Sequence, residues 1–482
     1  MKKIHNYLIV LLLVFVVNGC KKLEDFGDTN LDPSASTQPV LSALLTNVES
    51  GLGALATQTR PGLYGQYFSE TQYTDASLYS IPQLPFDANY SGPLNDLQII
   101  IDKNESNNMN MVASILQQYI FWTVTDRWGD VPYSEALKAV EIPNPKYDTQ
   151  EEIYKGMIAA LTTAVNGFDG TSVIKGDVIF AGDVDSWKRA ANSMRMFMAL
   201  QLSKRYPNAG EYAANEFNAA LTHPAGYIST NEQNMTIDYP GGNFKSPWWR
   251  LYDGRKDYAE SETMTNLMSS LSDTRQNAFG GKSEVQTSAD AEITSSVGMP
   301  YGVKRETAVA FTDAHTDWAR ILRGDFRKED GDVIVISAAE IALARAEARN
   351  YGWTNEDLTT VYEAGITLSF EQWDEDIPAG YTAQGAVALA AAGDAANLEK
   401  IAIQRYIASY PDGLKSWNIW RKTGFPILVP APDATNTTKQ IPRRYTYASS
   451  EYSTNEAKVK EAVARLATGQ DTQDERVWWD KL

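Results

Sequence analysis

Cysteine is all but missing from this chain. One thiol in 482 residues, Cys20, leaves nothing to pair with, so no disulfide staples the fold and packing alone must hold it. Histidine is almost as scarce, with three copies, and His5 lies in the leader described below. Basic charge is in short supply: 43 Lys and Arg face 61 Asp and Glu, a formal net charge of -18. A chain so acidic has little to offer the phosphate backbone of a nucleic acid. The usual catalytic fingerprints are absent as well, with no HExxH, GxSxG, Walker A or dinucleotide-binding glycine run. Glycoside hydrolysis would need two carboxylates about 5 to 10 Å apart across a cleft. With 61 acids such pairs arise everywhere and single out none, so the chain reads as a binding protein and not an enzyme.

What is present begins with a core. Hydrophobic residues make up 43% of the chain, enough to bury a large interior. Twelve Trp and 25 Tyr add a heavy aromatic load, suited to carbohydrate or peptide faces but mostly destined for the core. At the N-terminus, Met1-Lys2-Lys3 is followed by the apolar run from Tyr7 to Val17 and by Val17-Asn18-Gly19-Cys20. That run is too short to span a bilayer as a stable helix and reads as residues 1–19 of a secretory leader. Its end resembles a lipobox, which predicts an acyl anchor such as palmitate on Cys20. Residues 20–39 are rich in Asp, Thr, Ser, Pro and Asn and form an expected tether. The acidic pair Glu24-Asp25 resembles a surface-export tag.

Helical periodicity then sets in. Val40, Leu41, Leu44, Leu45, Val48, Leu52 and Leu55 form one apolar stripe that breaks at Arg60-Pro61, and a second element is expected from Leu63 to Thr74. Between Thr74 and Pro93 the rhythm stops, leaving a long aromatic loop. Helices are expected again at Leu94 to Asp102 and Asn110 to Thr125. Gly129 and Pro132 then force a corner, after which Ser134 reads as the cap of a short helix through Leu137 and Val140. Thr149 with Glu152 makes a capping box for a helix to Phe168. Asp185 or Ser186 is the expected cap of a helix from Trp187 to Arg205. Residues from about 208 to 332 read as a loop-rich insert. A short apolar run at Val333 turns into a helix to Tyr351, followed by helices at Tyr362 to Trp373, Asn397 to Ala408 and Gly413 to Arg421. Small residues at Ala338, Ala339, Ala342, Ala346 and Gly365 suggest helix crossings of a degenerate tetratricopeptide-like stack.

Five islands of sequence, in order, resemble the SusD/RagB family of nutrient-binding outer-membrane lipoproteins. They are Arg127-Trp128-Gly129-Asp130-Val131-Pro132-Tyr133; Asp177 to Asp183 with Trp187, Asn192 and Arg195; Ser337-Ala-Ala-Glu340 with Arg345-Ala-Glu347; Gln404-Arg405-Tyr406 with Trp417, Trp420, Arg421 and Pro426; and Ile441 to Tyr445 with Asn455 and Val477-Trp478-Trp479-Asp480. In the first island Arg127 would close the helix end and Trp128 plug the core, marking the fold and not the site. Trp187 and Asn192 are expected to supply core packing and a buried hydrogen bond. Position 422 is Lys where a second Arg is commoner in the family, a change expected to be mild. The resemblance implies a mainly α fold: one domain over residues 40–482, made of tetratricopeptide-like helix pairs forming a scaffold with a loop-rich capping subdomain. It also implies a partner, a SusC-like TonB-dependent transporter of the outer membrane, and an oligosaccharide or peptide ligand. A scaffold or lid that binds only the transporter is the alternative.

Capture of a sugar needs an aromatic platform for the ring's C–H face and polar groups for its belt of hydroxyls. Two stretches offer both. The first loop supplies Tyr73, Asp75, Tyr79 and Asn89; the middle region supplies Trp248, Trp249, Arg250 and Tyr252, either as platforms or as a local mini-core. No cofactor or metal is expected. Asp313-Ala-His315-Thr-Asp317 would share one face only on a strand. Asp325, Glu329, Asp330 and Asp332 have the hard oxygens a Ca²⁺ wants but not EF-hand spacing.

Overall fold

The computed structural model describes residues 39–138, 141–284 and 289–481. The expected leader, Cys20 and the expected tether up to residue 38 lie outside the described residues. From Ser42 onward the chain forms one compact unit.

Its framework is a succession of helices: α1 (Leu41–Ala56), α2 (Thr59–Tyr64), α3 (Asn95–Lys103), α4 (Asn107–Trp128), α5 (Gln150–Gly167), α6 (Val184–Gln201), α7 (Tyr212–Leu221), α8 (Glu262–Leu271), α9 (Arg305–Ala314), α10 (Ala338–Asn350), α11 (Leu358–Gln372), α12 (Ala396–Ala408), α13 (Gly413–Thr423) and α14 (Ser449–Ala464). Neighbours in sequence pack as pairs, α3 on α4, α4 on α5, α5 on α6, α6 on α7, α10 on α11 and α12 on α13. This is the expected stack of helix pairs. Gly365 marks one crossing: a Cβ there would meet the Leu343 side chain at 2.6 Å, so only glycine lets α10 and α11 approach so closely. Among the described residues three short antiparallel pairs interrupt the helices, β1 (Phe68–Glu70) with β3 (Tyr258–Glu260), β2 (Met235–Ile237) with β6 (Val333–Ile336), and β4 (Gly280–Gly281) with β5 (Arg320–Ile321). No helix among the described residues is long and apolar enough to cross a membrane.

Caps explain where the helices start. Ser106 caps α4, and Gly129, at φ 87°, ends it. The box at Thr149 and Glu152 forms as expected, and Ser337 with Glu340 forms a second at α10. Three local expectations are corrected. The cap of α6 is Asp183, whose carboxylate accepts from the amides of Asp185 and Ser186 and so begins the helix earlier. Leu63 to Thr74 is not one helix: Pro61 is tolerated near the start of α2, and the chain then extends into β1. Ser134 starts only a turn, because Asp148 takes its amide at 2.8 Å and its hydroxyl at 2.7 Å, and Leu137 sits at φ 63°; Val140 lies outside the described residues.

Much of the aromatic load is interior, with Trp187, Trp318, Trp417 and Trp479 fully buried. The Trp187 indole donates to Asp177 at 2.8 Å, and the Asn192 amide to the Gly226 carbonyl at 2.8 Å, as expected. Trp128 donates to the Leu84 carbonyl, and Arg127 is buried beside it. Close backbone contact holds α2 to α13. A Cβ on Gly413 would lie 2.2 Å from the Gly62 nitrogen and 2.4 Å from its Cα. Neither backbone can move aside, so Gly413→Ala is expected to cost about 1–3 kcal/mol in urea unfolding.

Candidate functional site

The first loop is ordered by the residues around it. Glu70 ends β1 with its carboxylate accepting from the Ser77 amide and hydroxyl, both at 2.8 Å, which folds Thr71 to Ser77 back on itself. Tyr79 takes a left-handed backbone, φ 63°, and turns its ring inward against Tyr64. Beyond it the chain is fastened on both sides. Arg60 donates to the Ile81 carbonyl at 2.9 Å, Gln473 to the Tyr79 carbonyl at 3.1 Å, and the Thr446 amide to Pro82 at 3.0 Å.

This leaves a cleft of ≈ 1230 Å³ between Tyr79–Gln83 of the loop and two C-terminal segments, Thr435–Thr438 and Ala467–Arg476. Its walls mix hydroxyl, amide and carboxylate side chains with the apolar Ile81, Pro82 and Ala467, and internal bonds set the positions of the polar groups. Asp474 accepts from the Thr438 hydroxyl at 2.8 Å, Glu475 from the Thr468 amide at 3.0 Å, and Asp471 pairs with Arg444. Asn436, Thr446 and Gln473 line the cleft, are each more than nine-tenths buried, and each keep one side-chain oxygen without a partner among the described residues. These oxygens are themselves closed to solvent, so the polar groups that face the cleft are the exposed side chains of Thr435, Thr437, Thr438, Thr468 and Gln470.

The predicted first-loop residues separate. Tyr73 is 58% exposed with the Arg305 guanidinium 5.5 Å from its ring centre, and Asp75 is exposed. Asn89 is half-buried and donates to the Phe86 carbonyl. Tyr79 is corrected: its ring is interior, its hydroxyl lies 3.2 Å from that of Tyr301 and accepts from the Ala431 amide, and burial pushes the phenol up to about 12. It anchors the loop and offers no face to a ligand.

The middle stretch lies elsewhere and divides the same way. Tyr252 is corrected to core, its hydroxyl donating to the Tyr258 carbonyl and accepting from the Ile321 amide. Trp248 is also buried, but it lines a separate cleft of ≈ 610 Å³. Trp249 is half-buried with the Lys245 ammonium 3.7 Å from its ring centre, and Arg250 is exposed. Among the described residues no group of three or more His, Cys, Asp and Glu side chains is placed to hold a metal. Asp325 pairs with Arg323 and Glu329 with Lys245, so the four acids do not converge. His315 follows the end of α9 and packs on Phe311 at 4.5 Å, so the Asp313–Asp317 triplet has no strand to share.

The C-terminal walls were missed from sequence. Their signal was compositional: Thr435-Asn-Thr-Thr438 and Thr468-Gly-Gln-Asp471-Thr-Gln-Asp474 are polar runs between landmarks that drew attention to packing.

Comparison with known proteins gives a family. Residues 33–448 match the SusD-like family model described as "Starch-binding associating with outer membrane". A SusD homolog from Bacteroides uniformis shares 24% identity at a TM-score of 0.78, covering 92% of this chain and 99% of that one. A chitin-binding SusD homolog from Flavobacterium johnsoniae shares 23% at 0.77, covering 92% and 98%. A SusD homolog from Bacteroides fragilis shares 20% at 0.76, covering 92% and 100%. No curated protein matches the chain in sequence.

Proposed function

The chain belongs to the SusD-like family, and from that membership we propose that it captures an oligosaccharide at the first-loop cleft. It then passes the ligand to a SusC-like TonB-dependent transporter, moored beside it in the outer membrane by a lipid on Cys20. The observation that carries this reading is the open cleft beside the first loop, lined by the exposed polar side chains of Thr435, Thr437, Thr438, Thr468 and Gln470 together with apolar surface from Ile81, Pro82 and Ala467. These exposed hydroxyls and amide would exchange hydrogen bonds with sugar hydroxyls, and Tyr73, exposed on the flank of the same loop, offers a ring face for the C–H surface. The family's description as starch-binding and the chitin-binding relative point to the same ligand class. Recognition here makes and breaks no bond, and it calls for no metal or cofactor.

Calorimetric titration of the soluble protein with a panel of neutral oligosaccharides tests the reading. One class is expected to bind, and Tyr73→Ala to weaken it about tenfold, roughly 1.4 kcal/mol. The thermal midpoint should not move, because the ring is exposed. A protein that binds no glycan or peptide of the panel yet forms a stable complex with its transporter is instead a scaffold or lid. Release of shortened sugars from the panel would make it a hydrolase.

A further inference from the structure

The first-loop cleft continues past its C-terminal wall. A pocket of ≈ 270 Å³ adjoins it, lined in part by Trp420, Leu428, Pro430, Gln440 and Arg443, and the two spaces share Thr438, Asp474 and Arg476 as lining residues. Those three form the sill between them. Thr438 is exposed and Asp474 and Arg476 are half-buried, so the sill itself is open to solvent. The annex is built from the end of α13 and the chain beyond it. Gly424, at φ 80°, ends the helix, and the following segment runs extended: Leu428 and Pro430 line the pocket, while Ile427 and Val429 turn outward, 77% and 71% exposed. Trp420 is half-buried, and the Arg443 guanidinium 4.6 Å from its ring centre is itself fixed by Asp480, which accepts from it at 2.6 and 2.9 Å. The ring is therefore held in place before any ligand arrives. Its N–H is without an acceptor among the described residues and is not sealed from solvent. The exposed Gln440 side-chain amide likewise has no partner among the described residues. An aromatic ring beside free polar groups is what capture of a sugar ring requires. At ≈ 270 Å³ the annex falls below the size of a drug-sized ligand site, so it suits one further unit of a chain already lying in the larger cleft.

We propose that the annex is a distal subsite by which the protein selects its glycan for length. A chain long enough to cross the sill at Thr438 places a further sugar ring against Trp420, where the indole N–H and the Gln440 amide bond its oxygens. Shorter chains fill the first-loop cleft alone. The proposal rests on capture at that cleft, and the experiment below separates the failure of one from the failure of the other.

The test is calorimetric titration with short and long members of each glycan class: maltose and maltohexaose, cellobiose and cellohexaose, chitobiose and chitohexaose. In the class that binds, the long member is expected to bind about tenfold tighter than the short one. Gln440→Trp fills the annex from its exposed rim, and Trp420→Leu removes the ring while keeping an apolar side chain on α13. Each is expected to cut the long member's advantage to about twofold. Gln440→Trp leaves the helix untouched, so the test holds even where Trp420→Leu does not fold. Tyr73→Ala, at the first loop, should weaken both members alike. A long member with no advantage, or an advantage that survives Gln440→Trp, overturns selection by length and leaves capture at the first-loop cleft standing. A protein that binds neither member of any pair overturns both.

Discussion

Glu347→Ala is expected to lower the free energy of unfolding by about 3–5 kcal/mol, because it strands two buried cations. In α10 the Glu347 side chain is 2% exposed; one oxygen accepts from the Lys422 ammonium at 2.5 Å and the other from the Arg405 guanidinium. Burial pushes this carboxyl up, and the two cations together more than reverse it, so it stays ionised below the usual range. Without it Lys422 and Arg405 face each other in a medium that screens poorly. Burial already pulls Lys422 down to about 8 from 10.5, against the pull of Glu347. A base with a lowered folded pKa binds more protons unfolded, so stability rises with pH through that window. In the variant the window opens lower, and the deficit measured by urea at about pH 7 should shrink at about pH 9. A deficit under about 1 kcal/mol would show that the triad contributes no more than surface ion pairs do. Glu347→Gln, which keeps one acceptor, should fall between.

That triad also explains why Lys at position 422 is accommodated. Arg405 already occupies one carboxylate oxygen, so a single ammonium on the other completes the pairing and a forked guanidinium is not required. Such long-range partnerships were invisible in the sequence, where residues 347, 405 and 422 lie on three separate helices. What could be read was local. The Thr149 box, the glycine that ends α4 and the apolar stripes of the helices follow from rules that act within a few residues. The aromatic candidates show the limit. Tyr73 and Tyr79 have the same chemistry six residues apart in one loop, and only the left-handed turn at 79 and the Tyr301 and Ala431 partners decide which becomes core. Likewise the cleft's C-terminal walls reach the first loop through bonds such as Thr435 to Leu78, which no periodicity announces.

Glu260→Gln should act in the opposite sense to Glu347→Ala and stabilise the protein above neutrality. Glu260 ends β3 fully buried; its Oε2 accepts from the Gln276 amide at 2.7 Å, while Oε1 has no partner among the described residues. No cation is among its causes of shift: burial pushes the carboxyl from 4.5 up to about 8, and the Gln276 bond pulls back only in part. Between those values the folded protein holds a proton that the unfolded chain has released, so stability falls as pH rises from 4.5 to about 8. At about 1.4 kcal/mol per unit the total is several kcal/mol. Glutamine has the same shape, can keep the Gln276 contact and never ionises. The variant should match the parent within about 1 kcal/mol where Glu260 is protonated, and exceed it by roughly 2–4 kcal/mol at about pH 8.5. Other buried acids share part of the slope, Asp126 and Asp412 with values of about 6 and Glu49 of about 9. Glu49 keeps its slope through the interval from about 6 to about 8 but does so equally in parent and variant, so the difference between them there isolates Glu260, and a parent and variant that lose stability in parallel across it would refute the assignment. The consequence reaches the candidate site, since Glu260 pairs in register with Phe68 of β1, and β1 leads directly into the first loop. A proton held at this strand end keeps a buried charge out of the seam from which that loop starts.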